Sequence, residues 1–245
     1  MTASRLASDA ELLEMLEFGE AQSVPERAAL LSRAAAQEVD PGALALGVRD
    51  GLILDLRQRM FGPTIEAQDR CPHCNEAASI EIDSAMWPRT DPARAGDVIK
   101  VRVGDYEVLC RPPRGADLND VARASDPAVA KELLLEATVI HASRAATEIP
   151  AKALPPDVLG EIGRRLAEED PLAEISLTVT CAACEGSWDT VLDPAQFVWE
   201  ELRSWSRRVL WEVHLLAAAY GWTEREILAL SSRRRQAYLG WVLGA

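Results

Sequence analysis

The sequence predicts an α+β fold, mostly helical, with a small zinc-ribbon-like antiparallel β unit interrupted by a helical insertion. Three observations lead to it. Apolar residues recur at three and four along both ends of the chain, the helical period. Around each of two CxxC pairs, Cys71/Cys74 and Cys181/Cys184, the period falls to two. Between those pairs the helical signals return. The expected organisation is an N-terminal helical region over 1–63, a ribbon-like β unit made of 64–111 and 172–194, a helical insertion over 112–171 and a C-terminal helical region over 195–245.

Helix starts are marked by capping boxes, in which a hydroxyl and a glutamate three residues on satisfy the free amides of the first turn. Ser8 and Glu11 precede Leu12, Leu13 and Leu16; Ser23 and Glu26, with Pro25 in the first turn, precede Leu30, Leu31 and Ala34. Asp40-Pro41 is expected to open a third helix through Leu44, Val48, Leu52 and Leu56, stopped by Gly62-Pro63. Ile80 and Ile82 then alternate with charged neighbours. Val98 to Val103 alternates again, and Gly104-Asp105 turns the chain into Tyr106 to Cys110, a β-hairpin pattern. Asp126-Pro127 caps a helix carried by Val129, Leu133, Leu134, Ala137 and Ile140, and Pro155-Pro156 opens another through Ile162 and Leu166. Ile175, Leu177 and Val179 alternate into the second CxxC, with Trp188 and Val191 on a partner strand. The stripe Phe197, Leu202, Trp205, Val209, Val213 and Leu216 predicts a long helix ending at Gly221. A third capping box, Thr223 and Glu226, and a last helix from about Arg233 to Val242 follow.

The formal net charge is -13, unevenly spread. Residues 196–245 carry 7 basic and 5 acidic groups, so the remaining 195 hold all the excess acidity. An acidic body argues against nucleic acid or an anionic membrane as partner, since both are polyanions. No stretch has the roughly 20 apolar residues of a membrane span. Met1 to Glu20 is acidic and lacks a signal-peptide pattern. The protein is therefore expected in the cytoplasm, where thiols stay reduced and paired cysteines point to metal before disulfide.

Four of the five cysteines sit in the two CxxC pairs. Zinc takes four soft ligands at tetrahedral corners, and two thiolates on one tight turn supply an edge of that tetrahedron. Cys71, Cys74, Cys181 and Cys184 are thus expected to close a single structural Zn(2+) site. Such a site contributes roughly 10 kcal/mol or more of apparent folding free energy. Pro72 lies within the first turn, Asn75 follows it with a tolerance for positive φ, and Gly186 follows the second pair. The pairs are 106 residues apart, far beyond an ordinary ribbon interval, which is what calls for the insertion. The competing readings are thiols without metal and a redox pair; the latter normally opens a helix after a strand, a context missing here. Cys110 reads as a small buried apolar residue, and His73 as an exposed turn residue that could substitute for a thiolate.

Positive signals for catalysis are missing: His141 and His214 fall on apolar helical patterns away from any nucleophile arrangement, and no Gly-rich phosphate loop occurs. Arg233, Arg234 and Arg235 form the one basic run, expected to pair with acidic neighbours. Five of the seven Trp lie between Trp199 and Trp241. Trp199 and Trp211 are offset from the helical stripe, which suggests a second, adhesive face, and Trp is enriched at interface anchors. The expected partner contacts are Trp199, Trp211, Trp222, Arg233, Arg234 and Tyr238.

The run "WEELRSWSRRVLWEVHLLAAAYGWTEREILAL" from Trp199, continued by "SSRRRQAYL", resembles the C-terminal signature of the phage-T4-type baseplate hub assembly chaperone family. "GVRDGLILDLRQRMFGP" before the knuckle "CPHC", "LPPDVLGEIGRRLAEEDP" and "DPLAEISLTVTCAAC" agree with it, so the likeness covers roughly residues 40–241. The family knuckle usually reads Cys-Pro-x-Cys-Gly; here Asn75 takes the place of that Gly, and "CAACEG" lacks the Pro, while the thiolates are kept. The resemblance implies a non-enzymatic assembly factor or minor component of a contractile phage-tail or injection-system baseplate. Its partners would be hub, spike or wedge proteins, and its place the cytoplasm or the particle itself. Two rivals are set against it. A zinc-ribbon nucleic-acid-binding or regulatory protein needs a basic ribbon face, which residues 71–110 do not supply. A metal-dependent enzyme needs an open coordination position, which four thiolates close.

Overall fold

The computed structural model describes residues 7–88 and 98–244. About 52% of the chain is helix and 20% strand in small antiparallel sheets, a mixed and mostly helical α+β fold.

Three helices lead: α1 (Asp9–Gly19), α2 (Val24–Ala35) and α3 (Leu46–Phe61). Both expected capping boxes form, at Ser8/Glu11 and Ser23/Glu26. The third helix starts later than Asp40-Pro41 predicts. The amide of Leu46 donates to the Pro113 carbonyl and Ala45 bridges Arg114, so residues before Leu46 spend their backbone groups on the insertion and not on a helix. Gly62 closes α3 at φ 91, a conformation glycine adopts without penalty.

Next come two antiparallel hairpins far apart in sequence. Strands β1 (Thr64–Arg70) and β2 (Ala77–Asp83) flank the first CxxC. Between the hairpins lie β3 (Ile99–Val103), β4 (Tyr106–Cys110), α4 (Asp117–Val121), α5 (Pro127–Thr138), β5 (Val139–Arg144), β6 (Thr147–Glu148) and α6 (Pro156–Glu169). Strands β7 (Ile175–Thr180) and β8 (Ser187–Leu192) flank the second CxxC, and β2 runs beside β7. Three helices end the chain: α7 (Pro194–Tyr220), α8 (Glu224–Leu228) and α9 (Ser232–Leu243). The third capping box forms at Thr223/Glu226, and Gly221 caps α7 in the left-handed region.

The 99–110 hairpin is present, but it joins the insertion and not the ribbon. It pairs through β4 with β5, giving a four-stranded sheet in the order β3-β4-β5-β6. One face of that sheet, Ile99, Val101, Val108, Cys110 and Ala142, packs on Val158 and Ile162 of α6. The inserted part is therefore a sheet-and-helix unit, not a purely helical one. Residue 139 is where the helix gives way: Ile140 and His141, which the apolar pattern assigned to a helix, lie on β5, whose β-branched start favours strand.

The N- and C-terminal helical regions share one core. Leu12, Leu16, Leu31, Ile53 and Leu56 pack against Val198, Trp199, Leu202 and Val209 of α7. Arg57, with a side chain only 4% exposed, forks onto the Glu201 carboxylate at 2.9 and 3.0 Å and fixes α3 against α7. A second cluster, Leu54, Ile65, Ile82, Leu172, Ile175 and Leu192, seats both hairpins on α3. The end of α6 is held by Asp170, whose carboxylate accepts the Gly47 amide at 2.9 Å. A Cβ on Gly47 would lie 2.2 Å from that carboxylate, so only glycine permits the approach.

Arg49 and Asp50, neighbours on α3, are buried and paired at 2.7 Å. Burial pushes the Asp50 carboxyl up to about 6 despite the opposing pull of Arg49, and the Asp193 and Asp170 carboxylates add to the rise. Its folded pKa thus lies above the unfolded value of about 3.9. Protonation here adds stability that is complete below that unfolded value and is lost as the pH rises through about 6. The Asp50 carboxyl-carbon resonance is expected to titrate in this range; a midpoint of about 4 would show that Arg49 outweighs burial.

Candidate metal centre

Each CxxC forms the tip of a hairpin, and the two tips have the same backbone. In the first, the Cys71 amide donates to the Glu76 carbonyl and the Asn75 amide to Cys71; in the second, Cys181 donates to Gly186 and Glu185 to Cys181, all at 2.8–2.9 Å. Both turns need a residue in the left-handed region after the second cysteine: Asn75 at φ 61 and Glu185 at φ 58. Asn is among the non-glycine residues that tolerate this region best. The first cysteine of each pair, Cys71 or Cys181, is buried, and the second, Cys74 or Cys184, is exposed.

The four thiols converge. Cys71 Sγ lies 3.6 Å from Cys184 Sγ, and Cys74 Sγ lies 3.6 Å from Cys181 Sγ. All four sulfurs fall within 4.8 Å of one another. A tetrahedron with metal–sulfur bonds of about 2.3 Å has sulfur–sulfur edges of about 3.8 Å, so the spacing suits a four-thiolate ion. All five cysteines are free thiols, and the donors come from residues 107 and 113 apart in sequence. The arrangement is one that could hold a metal ion by Cys71, Cys74, Cys181 and Cys184.

Backbone amides prepare the sulfurs for negative charge. His73 and Ala183 each donate an amide to the first sulfur of their own pair at 3.4 Å. The amides of Cys184 and Ala183 bring the Cys181 thiol down to about 7, outweighing its burial. The Glu76 amide acts on Cys74 in the same sense, but desolvation and the crowd of Cys181, Cys184 and Cys71 push it up to about 12. One thiolate is therefore favoured and further ones are resisted, which is the electrostatic situation a divalent cation relieves.

Several features holding the two turns together carry little sequence signal. Trp188 donates its indole N–H to the Asp69 carboxylate across the hairpins at 3.1 Å and holds that carboxyl below the usual range. The His73 ring lies over Gly186, where a Cβ would come within 2.6 Å of it. His73 is exposed and is not among the converging donors. Cys110 is buried in the sheet core, where desolvation raises its thiol to about 11, as expected of a small apolar residue.

The expected partner contacts divide. Trp211 is 50% exposed, Arg233 and Arg234 are exposed, and Trp222 and Tyr238 are half-buried. Trp199 departs from expectation: at 1% exposure it is a central core residue, with Arg27 over its ring at 5.1 Å and Gly19 against its edge. Its offset from the α7 stripe points it at α1 and α2, and not at solvent. Arg235 of the basic run is buried and paired with Glu212 and Asp9. His214 is exposed on α7 and His141 lies on β5 near Glu148. Among the described residues, no helix is long and apolar enough to cross a membrane. Compared with known proteins, the chain matches no family model, no curated protein and no solved structure.

Proposed function

We propose that this chain is a zinc-braced, non-enzymatic assembly factor or minor structural component of a contractile, phage-tail-like baseplate, acting by binding hub, spike or wedge proteins. The observation that carries the zinc part is the meeting of two distant CxxC turns in one set of four thiols. Soft sulfur donors in a tetrahedral array select zinc over harder divalent ions. Four thiolates complete the coordination shell, so the ion braces the chain and offers no position to a substrate. The machine is proposed from the resemblance of residues 40–241 to the baseplate chaperone family, above all the block "EVHLLAAAYGW…EILALS" from Glu212 to Ser231.

In this reading the metal replaces the short connection of an ordinary ribbon. It lets a sheet-and-helix unit be inserted while both hairpins stay seated on α3. Deleting the gene in its own genome is the test. The expected result is loss of assembled contractile particles, restored by the wild-type chain, with hub or wedge proteins co-purifying with a tagged copy. Normal particles in the deletion strain, together with no baseplate protein on the tagged chain, would overturn the reading. A salt-dependent DNA complex at physiological ionic strength would favour the nucleic-acid alternative instead.

A further inference from the structure

We propose that the exposed face of the C-terminal helical unit is a docking site for an acidic protein segment that carries an apolar anchor. The proposal deepens the partner-binding reading above and rests on it only for the identity of the machine. Two observations carry it.

The first is a surplus of unpaired cations. Of the seven arginines between residues 196 and 245, Arg203 pairs with Glu20 and Glu200, and Arg235 with Glu212 and Asp9. Arg207, Arg208, Arg225, Arg233 and Arg234 make no ion pair with any described carboxylate. The acids of the same segment are nearly all engaged: Glu200 and Glu212 by these arginines, Glu201 by Arg57, and Glu226 by its own cap, which leaves Glu224. Positive charge here is not consumed by the fold, in a chain whose other residues are strongly acidic.

The second is an aromatic ladder that the fold leaves half open. Tyr220 stacks on Trp222 at 4.7 Å, and Tyr238 meets Tyr220, Trp222 and Trp241 edge-on at 5.7, 4.9 and 5.3 Å. Gly221 at φ 70 is what folds Tyr220 and Trp222 onto one another. Trp241 is 69% exposed and Leu243 58%. On α9, Arg234, Tyr238 and Trp241 stand at i, i+4 and i+7, so a free guanidinium and the ladder share one helix face. The pattern recurs on α7, where Arg207 precedes the half-exposed Trp211 by one turn.

Arginine beside exposed Trp and Tyr is the composition of interface hot spots. The charge selects acidic residues, and the exposed ring of Trp241, held edge-on by Tyr238, accepts an apolar side chain on its open surface. Single-stranded nucleic acid would also use arginine and ring stacking. It is disfavoured because a polyanion long enough to bind runs onto the acidic body, whereas a short acidic segment stays within a Debye length, about 10 Å, of the arginines.

The test uses the full chain and labelled short peptides followed by fluorescence anisotropy. One peptide is Asp/Glu-rich with a central Trp-Leu pair; a second has Ala for that pair; a third has Lys for the acids; a single-stranded oligonucleotide is the fourth probe. The acidic anchored peptide should bind, weaken with added salt, and lose about tenfold or more with Ala in place of the anchor. Arg233→Glu with Arg234→Glu, and separately Trp241→Ala, should each cost about tenfold or more while circular dichroism and the melting midpoint stay unchanged, because these side chains are exposed. Equal binding of the Lys peptide, oligonucleotide binding as tight as the peptide's, unchanged affinity in the variants, or self-association abolished by Trp241→Ala would each overturn it. If the peptide binds but no hub or wedge protein co-purifies, the baseplate reading fails and the dock stands. If baseplate proteins co-purify equally with all variants, the dock fails and the baseplate reading stands.

Discussion

Cys71→Ser is expected to abolish metal binding and to let the two hairpin tips separate. A structural zinc contributes on the order of 10 kcal/mol to folding, which is comparable with the whole stability of an ordinary domain, about 5–15 kcal/mol. The local architecture leaves little to compensate. Each hairpin has only two strands, and an isolated two-stranded hairpin is marginal in water. Their shared apolar cluster with α3 is small, and the loop of 113 residues between Cys71 and Cys184 would be closed here by the ion, with the Trp188–Asp69 hydrogen bond and the His73–Gly186 contact beside it. The variant should contain no zinc by elemental analysis, be cleaved rapidly by protease near the two knuckles, and melt early and broadly. Chelation of the wild type under reducing conditions should reproduce this. Metal-free wild-type protein with an unchanged melting curve would remove the brace from the account.

The sequence is most legible where chemistry acts over a few residues. Capping boxes at Ser8, Ser23 and Thr223 mark three helix starts because the bonds involved span only three residues. Alternation at Ile99 to Cys110 marks a hairpin for the same reason. The four thiols are readable because a soft metal ion restricts its donors so strongly that two CxxC pairs leave few alternatives. What escapes is anything set by distant partners. The late start of α3 depends on Pro113 and Arg114, and the grouping of β3–β4 with β5 depends on partners between Cys110↔Val139 and Tyr106↔Arg144, far along the chain. Strand β1 has one fully buried side chain, Ile65, so its alternation is faint. Trp199 misleads because helical periodicity locates a stripe facing one neighbour, whereas α7 is wrapped on several sides and buries a broader arc.

Arg235→Met should be the most damaging substitution outside the metal centre. The guanidinium is 1% exposed and fully used: Nε to Glu212 at 3.0 Å, Nη2 to Asp9 at 2.6 Å, and Nη1 to the Leu230 carbonyl at 2.9 Å. It joins α9 to α7 and to the first turn of α1. A buried pair is weak evidence of net stabilisation, since desolving both charges offsets most of their attraction. Removing one member is different, because Glu212, itself 4% exposed, then keeps a buried charge with only Gln236 to donate to it. The expected loss is about 3–5 kcal/mol, read as a lower urea midpoint. Adding Glu212→Gln removes the stranded charge and retains a polar partner for Gln236, so the double variant should recover most of that loss. The neighbouring ladder of Tyr220, Trp222 and Tyr238 supplies a local readout: in the single variant the tryptophan emission should shift red as α9 loosens, and in the double it should return. A double variant no more stable than the single would show that Arg235 works through its packing and its bond to Leu230, and not through the balance of buried charge.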